Sequence, residues 1–406
     1  MVVDSPPKAL DTLIERFDIT AFDGPLTGSR IRLRVGDEGA WDAVIGREGP
    51  FLEKANDRRP DAELIADRAS WNAIARDVRG GMTAFQRGRL MVRHNLHLGV
   101  GLLAATSGMT DDPRRLRFET VTTPVGELST IQAGEGDPLV CIHGLGATKA
   151  SFLPTLAALA EHHRVIALDL PGFGDSVKPL GAPYNADYFA RSVFSLMDAM
   201  DIDRAHLAGN SMGGRVALEM GMIDPDRVGR LVLLSPALAW LRKRPLAFPL
   251  RLVRPELGVL QPAPKPLVDL IVRRLVPGGQ EGWAAAGVDE FLRAYHTPRG
   301  RAAFYAAARN IYLDAPDGVS GFWSRLGDLE SDSLFIWGRK DTLVPIAFMH
   351  HVERTLPRAG HLELDCGHVA QLEEPVKVHG RMIKFLGEVS LDEPVRPARR
   401  EPGLAA

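Results

Sequence analysis

The strongest constraint on the fold is a succession of short apolar runs separated by stretches long enough for helices. Leu139–Ile142, Arg164–Leu168, His206–Ala208, Leu231–Leu234 and Leu334–Trp337 are each too short for a helix, and most end at Gly, Pro or Asp. A strand that is apolar on consecutive residues must be covered on both faces, as happens in parallel sheets. Strands of this kind alternating with helices predict an α/β chain built on a doubly wound, mostly parallel sheet.

The chain has 406 residues, more than the ~100–200 of an ordinary domain. Its character shifts near Ser107–Pro113, a polar stretch of turn formers that reads as a linker. We expect a small α+β unit over 1–110 and the parallel-sheet domain over 111–388. Between Ser235 and Ser331 the strand rhythm breaks. Leu267, Leu270, Ile271 and Leu275 fall at helical spacing, as do Phe304, Ala308 and Ile311. A helical cap over about 236–330 follows. Residues 389–406, rich in Pro, Arg and Glu, read as a flexible tail.

A hydrophobic content of 45% and a charged content of 25% supply ample material for buried cores. A net charge of −2 offers no global attraction for nucleic acid. The first residues, MVVDSPPKALDTLIERFD, lack the basic-then-apolar order of a secretory signal. No apolar run approaches the ~20 residues of a membrane span. A cytoplasmic location is the simplest expectation. The only cysteines, Cys141 and Cys366, form no disulfide framework and are expected as free buried thiols. No metal-ligand spacing, P-loop or dinucleotide fingerprint occurs, so no metal and no cofactor are expected.

Gly209-Asn210-Ser211-Met212-Gly213 follows one predicted strand and opens a helix. A serine on so sharp a turn is strained, and the close approach of strand and helix leaves no room for a Cβ at either glycine. Its hydroxyl would project at the carboxyl end of the sheet, where ligands bind in such folds. Serine is a weak nucleophile without a base. His368, after the short strand Leu362–Leu364, is the candidate base. Asp341, just past Leu334–Trp337, is the candidate acceptor that fixes its tautomer, with Asp365 and Glu373 as alternatives. The loop His143-Gly144-Leu145-Gly146 leaves another strand at the same end. The backbone N–H groups of Leu145 and Met212 are the expected oxyanion donors. His143, Gly144 and Asn210 are candidates for lining the substrate site, His143 more as a prop for its loop than as a second base. His162, His163, His350 and His351 are expected on the solvated surface.

These segments, with Asp169-Leu170-Pro171-Gly172-Phe173-Gly174-Asp175-Ser176 and Trp337-Gly338-Arg339-Lys340-Asp341, resemble the motifs of the α/β-hydrolase family, in family order, over roughly Arg117 to Leu386. The resemblance implies acyl transfer: Ser211 attacks a carbonyl, His368 moves the proton, and water releases the acyl group. Asp169–Ser176 is expected to be structural. The serine argues against haloalkane dehalogenases and epoxide hydrolases, which need a carboxylate there, so Tyr295, Tyr305 and Tyr312 receive no acid role.

In the first unit, Ile31, Leu33 and Val35 alternate with arginines, Gly36–Gly39 reads as a hairpin turn, and Trp41, Ala43 and Ile45 continue on the partner. Leu64–Asp67 leads to a helix expected to be capped by Ser70. Phe85-Gln86-Arg87-Gly88-Arg89-Leu90, followed by Asn95-Leu96-His97-Leu98, resembles the sterol carrier protein domain, with His94 where that family commonly has a small residue. This implies a lipid- or acyl-binding unit that holds substrate for the second domain; the alternative is a structural or dimerising module with a filled core.

The expected substrate is a small hydrophobic ester or acyl compound. Two further readings stand beside it. One is a carbon–carbon bond hydrolase of aromatic ring-cleavage products, which the run Gly209–Gly214 also resembles. The other is a lipid carrier with an inert hydrolase domain. The basic residues Arg242, Lys243, Arg244 and Arg251 could serve an acidic substrate group, or transient contact with a membrane surface together with Leu246, Phe248 and Leu250. The sequence is compatible with a homo-oligomer.

Overall fold

Alternation in the front segment builds a small sheet. The computed structural model describes residues 5–77, 81–107, 111–239, 254–260, 264–275 and 282–387, with Leu252 and Leu391. Helix α1 (Lys8–Glu15) precedes strands β1 (Ser29–Val35), β2 (Gly39–Gly46), β3 (Gly49–Lys54) and β4 (Ala62–Ala66). Helices α2 (Arg68–Ile74) and α3 (Met82–Gln86), strand β5 (Leu90–Arg93) and helix α4 (Leu96–Ala105) complete the unit. The strand order is β3-β2-β1-β4-β5, with β1 and β4 parallel and the other neighbours antiparallel. Leu33 pairs with Trp41 and Ile31 with Ala43, the register that the apolar alternation requires. On the opposite face Arg30 and Arg32 converge on Asp42, whose side chain is fully buried. The cap of α2 is Asp67, which accepts the N–H of Ser70, rather than Ser70 itself. Aspartate wins because it stands outside the first turn, where its carboxylate can reach back to the free amides.

The second sheet has eight strands. A hairpin, β6 (Arg117–Thr123) and β7 (Gly126–Ala133), precedes β8 (Pro138–Ile142), α5 (Leu153–Leu159) and β9 (Arg164–Leu168). Then come α6 (Ala186–Ala199), β10 (Ala205–Asn210), α7 (Met212–Ile223) and β11 (Val228–Leu234). The described cap helices are α8 (Lys265–Leu275), α9 (Gly282–Tyr295), α10 (Pro298–Leu313) and α11 (Phe322–Leu326). The chain closes with β12 (Ser333–Gly338), α12 (Met349–Thr355), β13 (Gly360–Leu364), α13 (Ala370–Glu373) and α14 (Pro375–Leu386). The order β13-β12-β11-β10-β8-β9-β7-β6 is parallel from β13 to β9, and β7 and β6 are antiparallel additions. From β8 the chain first moves to one side, to β9, and then returns to the other, to β10. The loops after β8 and β10 therefore splay apart at a topological switch point, the standard ligand crevice of open α/β sheets.

Two cores sandwich this sheet. One, with α6, α7 and the cap helix α10, contains Phe173, Tyr184, Val216, Ala303 and Trp337. The other runs without a break from Leu139, Phe152, Leu156 and Met382 into Trp41, Trp71 and Phe85 of the front unit. The two sheets thus share one apolar interior. Helix α8 has the spacing expected of a packed helix, yet Leu267 and Leu270 are 54% and 53% exposed. Among the described residues no helix is long and apolar enough to cross a membrane. Arg242, Lys243, Arg244, Leu246, Phe248, Leu250 and Arg251, the tail from Pro394 and part of the expected linker lie outside the described residues.

Candidate active site

Ser211 occupies the turn between β10 and α7 with φ 54° and ψ −116°. A non-glycine residue there costs about 1–3 kcal/mol and persists only where its surroundings dictate it. The surroundings are steric. A Cβ on Gly209 would lie 2.3 Å from the Gly213 carbonyl oxygen, and one on Gly213 would lie 1.9 Å from that of Ile142. Both positions are closed to any side chain. Met212 is the first residue of α7, so its N–H has no acceptor within the helix.

The loops after β12 and β13 meet beside this elbow. His368 Nδ1 and Asp341 Oδ2 are 2.7 Å apart. The other carboxylate oxygen of Asp341 accepts the N–H groups of Leu343 (2.8 Å) and Val344 (2.9 Å). Burial opposes the charge of Asp341, but the hydrogen bond from His368 and those backbone donors hold its pKa below the ordinary carboxylate value. Of the alternatives, Asp365 pairs with Lys340 at the surface (3.0 Å). Glu373 accepts the N–H of Gly367 (2.7 Å) and that of Val369 (3.0 Å), clasping the backbone on both sides of His368. The sequence pattern did not reveal that clasp, since nothing in the spacing tells a brace from an orienting acid.

Asn210 ties the elbow to the histidine loop. Its amide donates to the carbonyls of Leu234 (3.0 Å) and His368 (3.1 Å). Both donors are thereby used, so Asn210 supports the site instead of lining it. Among the described residues the Ser211 hydroxyl makes no hydrogen bond; contacts of this kind often tighten only once substrate binds.

Gly144 lies against Ser211, for a Cβ there would stand 3.2 Å from the serine Cβ. His143 does not line the site. It is fully buried, Nδ1 donates to the Gly144 carbonyl (2.7 Å), and Nε2 accepts the N–H of Leu170 (3.0 Å). Burial lowers its pKa and keeps it neutral. Its ring ties the loop after β8 to the loop after β9. Asp169 anchors the neighbouring loop: its carboxylate accepts the N–H groups of Lys149 (2.7 Å) and Asp175 (2.9 Å) and pairs with Lys149 Nζ (2.7 Å). Cys141 and Cys366 are free and buried as expected. His163 departs from expectation: it is buried, its ring edge-on to His206 at 5.8 Å.

A cavity of about 50 Å³ opens beside Met212, lined by Tyr184, Phe189, Val216, Leu238 and Ile311 among others. Arg215 also borders it, but its charge is met by Glu219 (2.9 Å) and Asp314 (2.8 Å). Above the loop after β8, Phe291 and Phe304 of the cap press on Gly146, whose Cβ would be 2.6 Å and 3.4 Å from their rings.

A model of the α/β hydrolase fold family matches residues 137–375. The chain belongs to that family. Among its relatives by sequence is the dihydrolipoyllysine-residue acetyltransferase component of the acetoin cleaving system of Pseudomonas putida. It is 32% identical over 262 residues, 62% of this chain and 64% of that protein, so the chain spans under two thirds of that relative. A second is the 2-hydroxymuconate semialdehyde hydrolase of Pseudomonas sp. (strain CF600), 29% identical over 63% of this chain and 89% of that one. Among solved structures, a membrane phospholipase A is 28% identical, with a TM-score of 0.54 over 68% of this chain and 86% of that one.

Proposed function

We propose that the protein is a serine hydrolase that cleaves a hydrophobic carboxylic ester through an acyl-enzyme. The observation that carries this reading is the strained Ser211 at the head of α7, tied through Asn210 to a histidine whose other nitrogen is held by the buried Asp341. Ser211 would attack the carbonyl, His368 would take the proton and return it to the leaving alcohol, and Asp341 would fix the tautomer and stabilise the imidazolium. The N–H groups of Leu145 and Met212 would receive the developing oxyanion, each worth about 2.7–4 kcal/mol. The apolar lining beside Met212 and the aromatic edges over Gly146 suit a hydrophobic acyl group. The likeness to a membrane phospholipase A points the same way.

A second reading, carbon–carbon bond hydrolysis of a ring-cleavage product, is favoured by the 2-hydroxymuconate semialdehyde hydrolase relative. It needs a cation for the substrate's acid group. The arginine at the cavity is already compensated by two carboxylates, which weighs toward the neutral ester. The amino-terminal unit suits a lipid-carrying role less well, because Trp41, Trp71 and Phe85 fill its interior.

A fluorophosphonate probe should label the wild type and spare Ser211→Ala; a wild type left unlabelled would sink the serine mechanism. p-Nitrophenyl esters of increasing length, run beside a ring-fission dienone acid, separate the two reactions. Turnover of the dienone alone would reject the ester.

A further inference from the structure

Cap helix α9 faces two ways. At 3.6 residues per turn, about 100° per residue, Asp289, Glu290 and Arg293 share one side, while Phe291 and Tyr295 lie on the opposite side. The first side meets the front unit. Asp289 Oδ2 receives Arg93 Nε (3.0 Å) and the backbone N–H of His94 (2.9 Å). Glu290 Oε1 receives the N–H of Leu96 (2.7 Å), the first residue of α4. Its other oxygen holds Arg293 Nη2 (3.0 Å), and Arg293 Nη1 reaches Asp175 (3.0 Å) in the loop that Asp169 anchors. Both cap carboxylates are buried, Asp289 at 5% and Glu290 at 2% exposure.

His94 marks the seam. It has φ 70°, a left-handed conformation a non-glycine residue adopts at a cost. Its N–H donates to Asp289 of the cap. Glu290, at the head of α4, also meets the positive end of the helix dipole. Buried ionic contacts of this sort add little net stability but impose a register, because a shifted partner leaves a charge uncompensated.

We propose that Asp289 and Glu290 are positioning residues through which the amino-terminal unit fixes α9, and so fixes Phe291 over the oxyanion loop and the depth of the acyl side of the site. The effect on substrates rests on the serine-ester reading; the anchoring of α9 does not. The front unit then acts as the floor of the cap.

Full-length Asp289→Ala and Arg93→Ala approach the contact from its two sides, and Asp289→Asn keeps an acceptor for the His94 N–H. Two measurements decide. Amide hydrogen exchange across residues 282–295 should quicken in both alanine variants and less in Asp289→Asn. With p-nitrophenyl octanoate, kcat/KM should fall about tenfold in both, mainly through KM, while the acetate ester stays within about twofold. Unchanged exchange overturns the anchoring whatever the activity. Faster exchange with an unaltered chain-length profile, or with both esters falling in parallel, overturns the positioning role. Faster exchange in a protein whose wild type ignores esters and the fluorophosphonate supports the anchoring and rejects the ester reading alone.

Discussion

The carboxylate of Asp341 accepts from one ring nitrogen and two backbone amides, so its geometry and its charge are set together. Asp341→Asn would keep the shape but could present an N–H to His368 Nδ1, favouring the wrong tautomer. A fall in kcat of about 10⁴ is expected, measured on the acetate ester at neutral pH. Because the folded protein depresses the pKa of Asp341, its charge is kept until the pH drops below the ordinary carboxylate range. The placement of Ser211, Asp341 and His368 in loops at strand ends could be read from the sequence because each follows an apolar run. Ring direction could not. His143 and Asn210 belong to the right loops, yet their polar atoms turn inward to backbone groups. Such orientation is decided by which buried carbonyl or amide lacks a partner, and a motif does not display that.

At the scale of elements, the parallel strands β8 to β13 were legible and the antiparallel hairpin β6–β7 was not. β9 coincides with the run Arg164–Leu168, whereas β6 went unseen because it is mostly exposed and carries threonines where a core strand would be apolar. Helix α8 erred the other way: its spacing was right, but Leu267 and Leu270 face solvent. The loop from β8 into α5 depends on Lys149, which is buried beside Asp169 and 3.3 Å from Asp175. Both carboxylates are held below their ordinary pKa against the pull of burial, Asp169 chiefly by Lys149, and Asp175 by His97, Lys149 and Arg293. Lys149→Met would leave Asp169 as an uncompensated buried charge. We expect a loss of about 3–5 kcal/mol in urea unfolding. A change under 1 kcal/mol would mean that backbone donors alone suffice.

Across the whole molecule, stability should track two buried histidines that play no part in the proposed chemistry. His206 accepts the N–H of Arg230, and His379 Nε2 lies 3.0 Å from Thr155 Oγ1. Burial lowers the pKa of each to about 4 from 6.5. Between those values the unfolded chain binds more protons than the folded one. Their contribution is therefore whole above pH 6.5 and drains as the pH falls toward 4, by up to about 1.4 kcal/mol per pH unit for each. The depressed carboxylates act only at lower pH. Thermal unfolding between pH 7 and 4.5 should show this slope, and His379→Gln should flatten it; an identical slope in the variant would assign the effect elsewhere. The two-sheet plan was legible from the change of rhythm near Ser107, but the seam was not, since Asp289 and Glu290 look like ordinary helix-surface acids until the tertiary fold buries them. That seam has a consequence for heredity and for engineering. A hydrolase that acquired its front piece as an independent module could swap or discard it freely. Here the lineage would have to change Arg93, His94 and the acidic pair in concert, so chimaeras that exchange the first hundred residues should succeed only when α9 travels with them.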